Sequence, residues 1–298
     1  LQMNNIDVNI NYKKLDDSIL KNDLYIDFES LNKKIKFDPI NQGEKIKIKI
    51  KEERYNIKKL EDMDNSLKYT KRILDTFDYP RYKKISQITK KLSPLKKYVS
   101  DYLNYDISQA FLKMFEILSR FDLIKKKKDF KSFHFCELPG QFILATNYYL
   151  ETRTNNNHHW KAQSLNPKLA RRKEIFGDNY DLIKDNPNNW DFGADKSGDI
   201  TKDVNIKYYK KLVNDADLVT SDCGLDMTAP TKATYQDKEM AYINFCQILM
   251  VLNGMKPGAH YVGKVFLPQT SSYIISMNYL LCQSFKEVYI HKTSINAG

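Results

Sequence analysis

The sequence lacks the features that mark metal-binding, disulfide-rich or membrane proteins. Its four cysteines lie far apart and form no CxxC pair, so they indicate neither a zinc site nor a disulfide framework and favour a reducing compartment. No apolar run approaches the roughly 20 residues of a membrane span, and the polar first residues lack the apolar core of a signal peptide. We therefore expect a soluble, intracellular protein.

Glycine-rich nucleotide-binding motifs are absent as well. The dinucleotide pattern GxGxxG does not occur, and neither does GxxxxGK followed by Ser or Thr. Both motifs use glycine to let the backbone approach a phosphate closely. The sequence therefore argues against a dinucleotide site and against a P-loop.

What the chain does have is positive charge. Its 298 residues include 48 Lys and Arg against 37 Asp and Glu, a formal net charge of +11, which favours a polyanionic partner such as nucleic acid or an anionic membrane. Part of this excess can reflect an AT-rich genome, because Lys, Asn, Ile and Tyr have AT-rich codons. Charge alone does not choose between the two kinds of partner.

The length allows one large domain with an appendage. Residues 1–95 are interpreted as a basic N-terminal extension of unknown role, and residues 96–298 as the main domain. Within the extension, the alternation in KIKIKI, residues 45–50, predicts a strand with one lysine-lined face. A solvated edge strand protected by lysine is the simpler interpretation, and RNA binding is the alternative.

A helix is predicted at the start of the main domain, because its apolar residues follow the spacing of one buried helix face. These residues are Ile107, Ala110, Phe111, Met114, Leu118 and Phe121. Asp106 precedes the run and is the expected N-cap. Lys113 lies outside the apolar stripe, where surface lysines are common, so its position alone favours a surface residue.

From residue 133 the chain alternates between strands and helices. The predicted strands are residues 133–137, 217–222, 260–266 and 287–292, and the predicted helices begin at Gln141 and span residues 235–254 and 271–285. This alternation predicts an α/β fold with a mainly parallel sheet and helices on both faces. Polar stretches between residues 151 and 215 are interpreted as long loops over the ligand-binding edge.

Candidate site residues gather at the predicted carboxyl ends of the strands, where open α/β sheets bind ligands. In the segment CELPG, Gly140 permits close backbone approach, Pro139 sets the turn, and Glu137 can accept hydrogen bonds from a hydroxylated or cationic ligand. Asp222 ends another strand. Lys264 lies in a predicted buried strand, which is costly for a lysine unless it reaches this edge.

These residues resemble those of a known family. The chain from about residue 105 to 298 resembles the FtsJ-like ribose 2'-O-methyltransferases, in particular the cap methyltransferases of large DNA viruses. The family's Lys-Asp-Lys-Glu tetrad is matched in order by Lys113, Asp222 and Lys264, and its glutamate is expected a few positions beyond Gly298. The resemblance implies a Rossmann-like, S-adenosylmethionine-dependent methyltransferase fold with a mainly parallel central sheet.

The resemblance also implies a site for S-adenosylmethionine. CELPGQF resembles the family's first motif, GDIT resembles the segment whose Asp contacts the adenine, and HKTSINAG resembles the approach to the last motif. The implied cofactor-binding residues are Cys136, Glu137, Pro139, Gly140, Phe142, Asp199, Ile200 and Asp222. Where the family usually has a second glycine, this chain has Gln141, which a helix N-terminus tolerates if the side chain points outward.

The implied chemistry is methyl transfer to a ribose hydroxyl. Lys264 is the expected general base, supported by Lys113 and Asp222. No metal is expected to take part, and the adjacent His158 and His159 are interpreted as structural or surface residues because neighbouring side chains diverge on a strand.

The implied substrate is capped mRNA, with no membrane association and with other capping or polyadenylation enzymes as partners. The implied location is the cytoplasm or, for a viral protein, a virion or a virus factory in the host cytoplasm. Two alternatives stay open: a catalytically weak subunit that binds RNA or the cap, and methylation of ribosomal or transfer RNA. A cap site would need aromatic side chains around the methylated guanine, and the 20 tyrosines do not show which.

Overall fold

The computed structural model describes residues 33–37, 58–74, 93–124, 127–169, 177–224, 239–266 and 269–295. Its strands are β1 (Lys33–Lys36), β2 (Asp129–Phe135), β3 (Asn157–Gln163), β4 (Trp190–Asp191), β5 (Leu218–Ser221), β6 (His260–Gly263) and β7 (Tyr289–Lys292). Its helices are α1 (Lys58–Leu74), α2 (Ser93–Leu103), α3 (Gln109–Arg120), α4 (Gln141–Arg153), α5 (Leu182–Asp185), α6 (Asp203–Leu212), α7 (Ala241–Gly254) and α8 (Ser272–Ser284). The predicted strand at residues 45–50, the first residues of the helix predicted at 235–254 and the end of HKTSINAG lie outside the described residues.

The central sheet has five parallel strands in the order β4-β3-β2-β5-β6. The predicted α/β fold with a parallel sheet is therefore confirmed. The chain proceeds from β2 towards β4 in one direction and from β5 towards β6 in the other. The strand order thus reverses between β2 and β5, which is the point at which open α/β sheets bind ligands, in a crevice outside the carboxyl ends of the strands.

The two faces of the sheet carry separate apolar cores. Phe130 of β2 packs with residues of α3 and α4, whereas Phe133 and Phe135 pack with residues of α6 and α7 on the other face. Odd and even residues of a strand point to opposite faces, which explains the division. The sheet therefore has helices on both faces, as the alternation predicted.

Two local predictions are wrong. The N-cap of α3 is Ser108, whose Oγ accepts from the Ala110 N–H at 3.0 Å, and not Asp106. Residues 151–215 do not form only loops, because β3, β4 and α6 lie there. Strand β3 was not predicted because most residues of its sequence, NHHWKAQ, are polar on both faces of the strand.

The last strand belongs to a second sheet. β7 pairs antiparallel with β1, with Lys34 opposite His291 and Lys36 opposite Tyr289. The Lys34 Nζ lies 4.3 Å from the Tyr289 ring centroid and 4.6 Å from that of Phe121. Part of the predicted N-terminal extension is therefore built onto the main domain.

Among the helices that the structure describes, none has both the length and the apolar character needed to cross a membrane.

Candidate active site

Lys264 and Asp222 form the centre of the candidate active site. Asp222 directly follows β5 and Lys264 directly follows β6, and neighbouring parallel strands end at the same edge of a sheet. The Lys264 Nζ lies 2.6 Å from Asp222 Oδ1 and donates to the Asp222 backbone carbonyl at 2.9 Å. The lysine side chain is 32% exposed and the aspartate side chain 26%. The pair is therefore accessible from solvent.

Lys113 contributes a second positive charge to this edge. It lies in the second turn of α3 and its side chain is half-buried, not on the surface as its place on the helical wheel favoured. Burial lowers the pKa of the Lys113 ammonium; the negative charge of Asp222 opposes this effect, and the positive charge of Lys264 adds to it. The three residues that match the tetrad thus interact electrostatically.

The turn after β2 has two residues in the left-handed region of backbone conformation. Cys136 has φ 54° and Gly140 has φ 101°, and the peptide bond between Leu138 and Pro139 is cis. The Gly140 N–H donates to the Glu137 carbonyl at 2.5 Å. A Cβ at Gly140 would overlap the Leu182 side chain. Glycine is therefore favoured here by its φ, which side chains rarely adopt.

Glu137 is held inside the protein. It is 3% exposed, and its Oε1 accepts from the N–H groups of Phe142 at 2.7 Å and Ile143 at 3.3 Å. Burial raises the pKa of Glu137 well above its usual range, the charge of Asp222 raises it further, and the two amides partly oppose both effects. Glu137 thus acts as the side-chain cap of α4, and its contact with a ligand stays a prediction.

Two other residues of the first motif differ in their exposure. The Phe142 side chain is 5% exposed and packs in the core between α3 and α4, so only its backbone faces the turn. Pro139 is half-buried at the turn itself. For both residues, contact with a cofactor remains a prediction.

Gln141 does not point outward. It is 3% exposed, and its Oε1 accepts from the Ser108 N–H at 2.5 Å. This bond joins the N-terminus of α4 to that of α3, the helix that carries Lys113. Among the described residues the Gln141 Nε2 has no hydrogen-bond partner.

The segment GDIT forms a second turn at the same edge of the sheet. The Asp199 Oδ1 accepts from the N–H and the Oγ1 of Thr201, at 2.9 and 2.6 Å, and the residue is half-buried. Ile200 is 4% exposed and packs in the core beside α6 and α7. Asp199 is therefore available to a ligand through its other oxygen, while Ile200 anchors the turn.

Two residues that the sequence did not single out hold these turns together. The Gln163 Oε1 accepts from the Cys136 N–H at 3.0 Å, and its Nε2 donates to the Gly198 carbonyl at 2.6 Å. The fully buried Asn205 donates to the Asp199 carbonyl at 2.8 Å. No signal in the sequence marked Gln163, because the strand that it ends, β3, was not predicted.

One disulfide is present, although the cysteine spacing indicated no disulfide framework. Cys136 and Cys223 form a disulfide, with their Cα atoms 4.9 Å apart, while Cys246 and Cys282 are free and buried. Spacing along the chain did not reveal the pair because the two residues are 87 positions apart. They meet because β2 and β5 are neighbours in the sheet.

Similarity to known proteins agrees with this arrangement. The family model described as FtsJ-like methyltransferase matches residues 107–297. The chain belongs to this family.

Individual relatives come from viruses and animals. The chain is 36% identical over 197 residues to uncharacterized protein L511 of Acanthamoeba polyphaga mimivirus, which covers 64% of this chain and 24% of that protein. It is 28% identical over 244 residues to cap-specific mRNA (nucleoside-2'-O-)-methyltransferase 2 of Pongo abelii, covering 78% and 31%. It is 26% identical over 200 residues to the probable methyltransferase EP424R of African swine fever virus, isolate Pig/Kenya/KEN-50/1950, covering 62% and 45%. The chain thus spans less than half the length of each of these relatives.

The FtsJ-like region contains the whole candidate site. It begins at Ile107, one residue before the N-cap of α3, and ends after β7. Lys113, Asp222 and Lys264 all lie inside it, whereas β1, α1 and α2 lie outside.

Beneath the first turn of this FtsJ-like domain lies a buried polar network. The Ser132 Oγ is 2.7 Å from the Nε2 of His134 and 2.6 Å from the Nε2 of His158, and the His158 Nδ1 contacts the Asn147 Oδ1. Burial lowers the pKa of His134 well below its usual range, and it lowers the pKa of His158 to about 3. Both rings are therefore neutral at pH 7. His159 points outward to Asp129, so the side chains of the adjacent His158 and His159 diverge.

Proposed function

We propose that this chain carries an S-adenosylmethionine-dependent ribose 2'-O-methyltransferase that acts on capped mRNA. The observation that carries the proposal is the pairing of Lys264 with Asp222, next to Lys113, at the strand-end crevice of an FtsJ-like domain. The match to proteins named as cap-specific mRNA 2'-O-methyltransferases favours capped mRNA as the substrate class. The excess of positive charge is consistent with binding to a polyanion.

Lys264 is the proposed general base. A neutral lysine has two N–H bonds and one lone pair, and Asp222 offers two acceptors, Oδ1 and the backbone carbonyl, both within hydrogen-bond distance of Nζ. If both N–H bonds point to these acceptors, the lone pair points away from Asp222 and towards an incoming ribose hydroxyl. Asp222 thereby orients the base, which then takes the hydroxyl proton as the oxygen attacks a methyl group.

Lys113 has a supporting role. Its ammonium group interacts with the same carboxylate and with the same lysine. A positive charge next to the reacting groups stabilises the negative charge that develops on the ribose oxygen during proton removal. Its half-buried position strengthens this effect because less water screens the charge.

The two turns at the crevice fit the cofactor. When bound, S-adenosylmethionine supplies the methyl group on a positively charged sulfonium. Gly140 gives the first turn the left-handed backbone conformation with which it would receive the cofactor. One oxygen of Asp199, Oδ2, makes no hydrogen bond within the described part of the chain and can accept from an adenine amino group.

Methyl transfer to short RNAs tests the proposal. With labelled S-adenosylmethionine, we expect transfer to a capped RNA and little to the same RNA without a cap. Lys264→Ala should reduce the rate by at least about a hundredfold, the lower range for loss of a general base, and should leave cofactor binding in place.

Lys207→Ala is the matched control, because Lys207 is an exposed α6 residue that forms an ion pair with Asp203. Near-normal transfer by Lys264→Ala would exclude the proposed base. Equal transfer to both RNAs would favour methylation of ribosomal or transfer RNA. RNA binding without any transfer would favour a catalytically weak binding subunit.

A further inference from the structure

The disulfide lies within the candidate site. Cys136 directly follows β2, and Cys223 is the second residue after β5. Their Cα separation of 4.9 Å matches the roughly 4.8 Å between neighbouring strands. The bond therefore joins two segments that the sheet already holds side by side.

Cys223 directly follows Asp222, the residue that contacts the proposed base, Lys264. Its peptide bond with Asp222 contains the carbonyl that accepts from the Lys264 Nζ at 2.9 Å. On its other side, a Cβ at Gly224 would be 3.7 Å from the same Nζ. Residues 222–224 thus run along the Lys264 ammonium, and Cys223 is the point at which this segment is tied to the cofactor turn.

We propose that the Cys136–Cys223 disulfide is a reversible modification that holds the Asp222 carbonyl on Lys264, with Cys223 acting as a positioning residue. This inference rests on the proposed function, since it assumes that Lys264 is the base. When the bond opens, Asp222 remains attached to β5, but the peptide after it loses its covalent tie to the first turn. The second acceptor of the Lys264 Nζ is then less well placed.

The oxidant is a small disulfide such as oxidised glutathione. Cys136 is partly exposed whereas Cys223 is 3% exposed, so the Cys136 thiolate attacks first and releases one glutathione thiolate. The Cys223 thiolate then displaces the second glutathione. The two protein thiols lose two electrons and two protons, and oxidised glutathione becomes two molecules of reduced glutathione.

The other two cysteines are less suited to this exchange because both are buried. Cys246 and Cys282 lie in α7 and α8, at 0% and 6% exposure. Replacing Cys282 by Ser therefore provides a control that changes a cysteine outside the site.

The first measurement compares the oxidised and the reduced form of the chain. After treatment with oxidised glutathione, intact mass should fall by two hydrogens relative to the reduced protein, and peptide mapping should link Cys136 to Cys223. Methyl transfer is then measured as a function of pH, up to the range where kcat no longer rises. At this plateau kcat no longer depends on pH in either form, so a difference in kcat reports the placement of the proposed base.

We expect the plateau kcat of the reduced protein to be about tenfold lower, since one well-placed hydrogen bond is worth roughly that factor. The KM for S-adenosylmethionine should change less than twofold. Cys223→Ser and Cys136→Ser should match the reduced protein and should not respond to oxidation, whereas Cys282→Ser should behave like the unmodified chain.

Equal plateau rates in the two forms, or no Cys136–Cys223 peptide after oxidation, would overturn the proposal. A loss that appears only as a lower Tm with an unchanged plateau kcat would show a structural bond and would also overturn it. If neither form transfers methyl although both bind S-adenosylhomocysteine, the proposed function itself has failed and the positioning role falls with it.

Discussion

The two halves of the candidate site are held in different ways. Lys264 and Asp222 are about one-third and one-quarter exposed, and they contact each other through a few polar atoms. The turn after β2 rests on buried groups: Glu137 caps α4, Gln141 bonds to Ser108, and Gln163 connects two turns.

The difference agrees with the role proposed for each half. A base must exchange its proton with substrate and solvent, so it cannot be closed off by the protein. A turn that receives a ligand binds more tightly if it is already ordered, because less conformational entropy is lost on binding. We therefore expect substitutions in the first half to affect rate and substitutions in the second half to affect stability.

Asp222→Ala should have the largest effect of these substitutions, and this effect should be on the rate of methyl transfer. It removes the Oδ1 acceptor of Lys264, so kcat should fall about a hundredfold, as for partial loss of a general base. The free energy of unfolding should change by no more than about 1 kcal/mol, because partly exposed ion pairs contribute little to stability.

Both effects can be measured on one preparation, by methyl transfer and by denaturant unfolding. Asp203→Ala serves as the control, since it removes a carboxylate from an exposed lysine pair on α6. A large loss of stability in Asp222→Ala would mean that the two halves are not held differently.

His158→Gln should change the pH dependence of stability and leave the rate of methyl transfer nearly unchanged. The pKa of His158 is lowered to about 3 by burial, with a smaller effect from His159, so the folded state resists its protonation. The stability that depends on neutral His158 is complete above the unfolded pKa of about 6.5 and is lost as pH falls towards 3.

In this window one histidine adds about 1.4 kcal/mol per pH unit to the slope of the unfolding free energy. When urea unfolding is measured between pH 6 and 4, the unfolding free energy of His158→Gln should fall less steeply with pH, by this amount. An unchanged slope would contradict a neutral, buried His158. Methyl transfer at pH 7.5 should be little altered, because the ring lies beneath the turn.

Gln141→Ala should have the smallest effect. It leaves the Ser108 N–H without its partner, which should reduce the free energy of unfolding by about 1–2 kcal/mol. Gln141→Glu keeps an acceptor for the same amide and is the matched variant for urea unfolding. If Gln141→Ala were as stable as the unmodified chain, the link between α3 and α4 would have no energetic weight.

The sequence predicted the parts of the fold and site that depend on local signals. The parallel sheet followed from the alternation of apolar strands with helices, and Asp222 was identified because it ends such a strand. Lys264 was identified as a lysine within a predicted strand, whereas in the structure it directly follows β6. The start of α4 at Gln141 was also correct, since a proline and a glycine precede it.

What the sequence did not predict depends on which elements become neighbours. The Cys136–Cys223 bond requires β2 and β5 to be adjacent, and this order is not written in spacing along the chain. The buried position of Gln141 depends on the packing of α4 against α3. The half-buried position of Lys113 depends on the same packing, because a helical wheel shows only one helix.

The pairing of β1 with β7 has a consequence for the synthesis of the protein. The partners are about 250 residues apart, so β1 leaves the ribosome long before its partner does. At a synthesis rate of about 5–20 residues per second, the backbone groups of β1 remain unpaired with β7 for between roughly ten seconds and one minute. Three of its four residues are lysines, and lysine on an unpaired strand discourages association with other chains. The charge of KKIK can thus protect the nascent chain until β7 arrives.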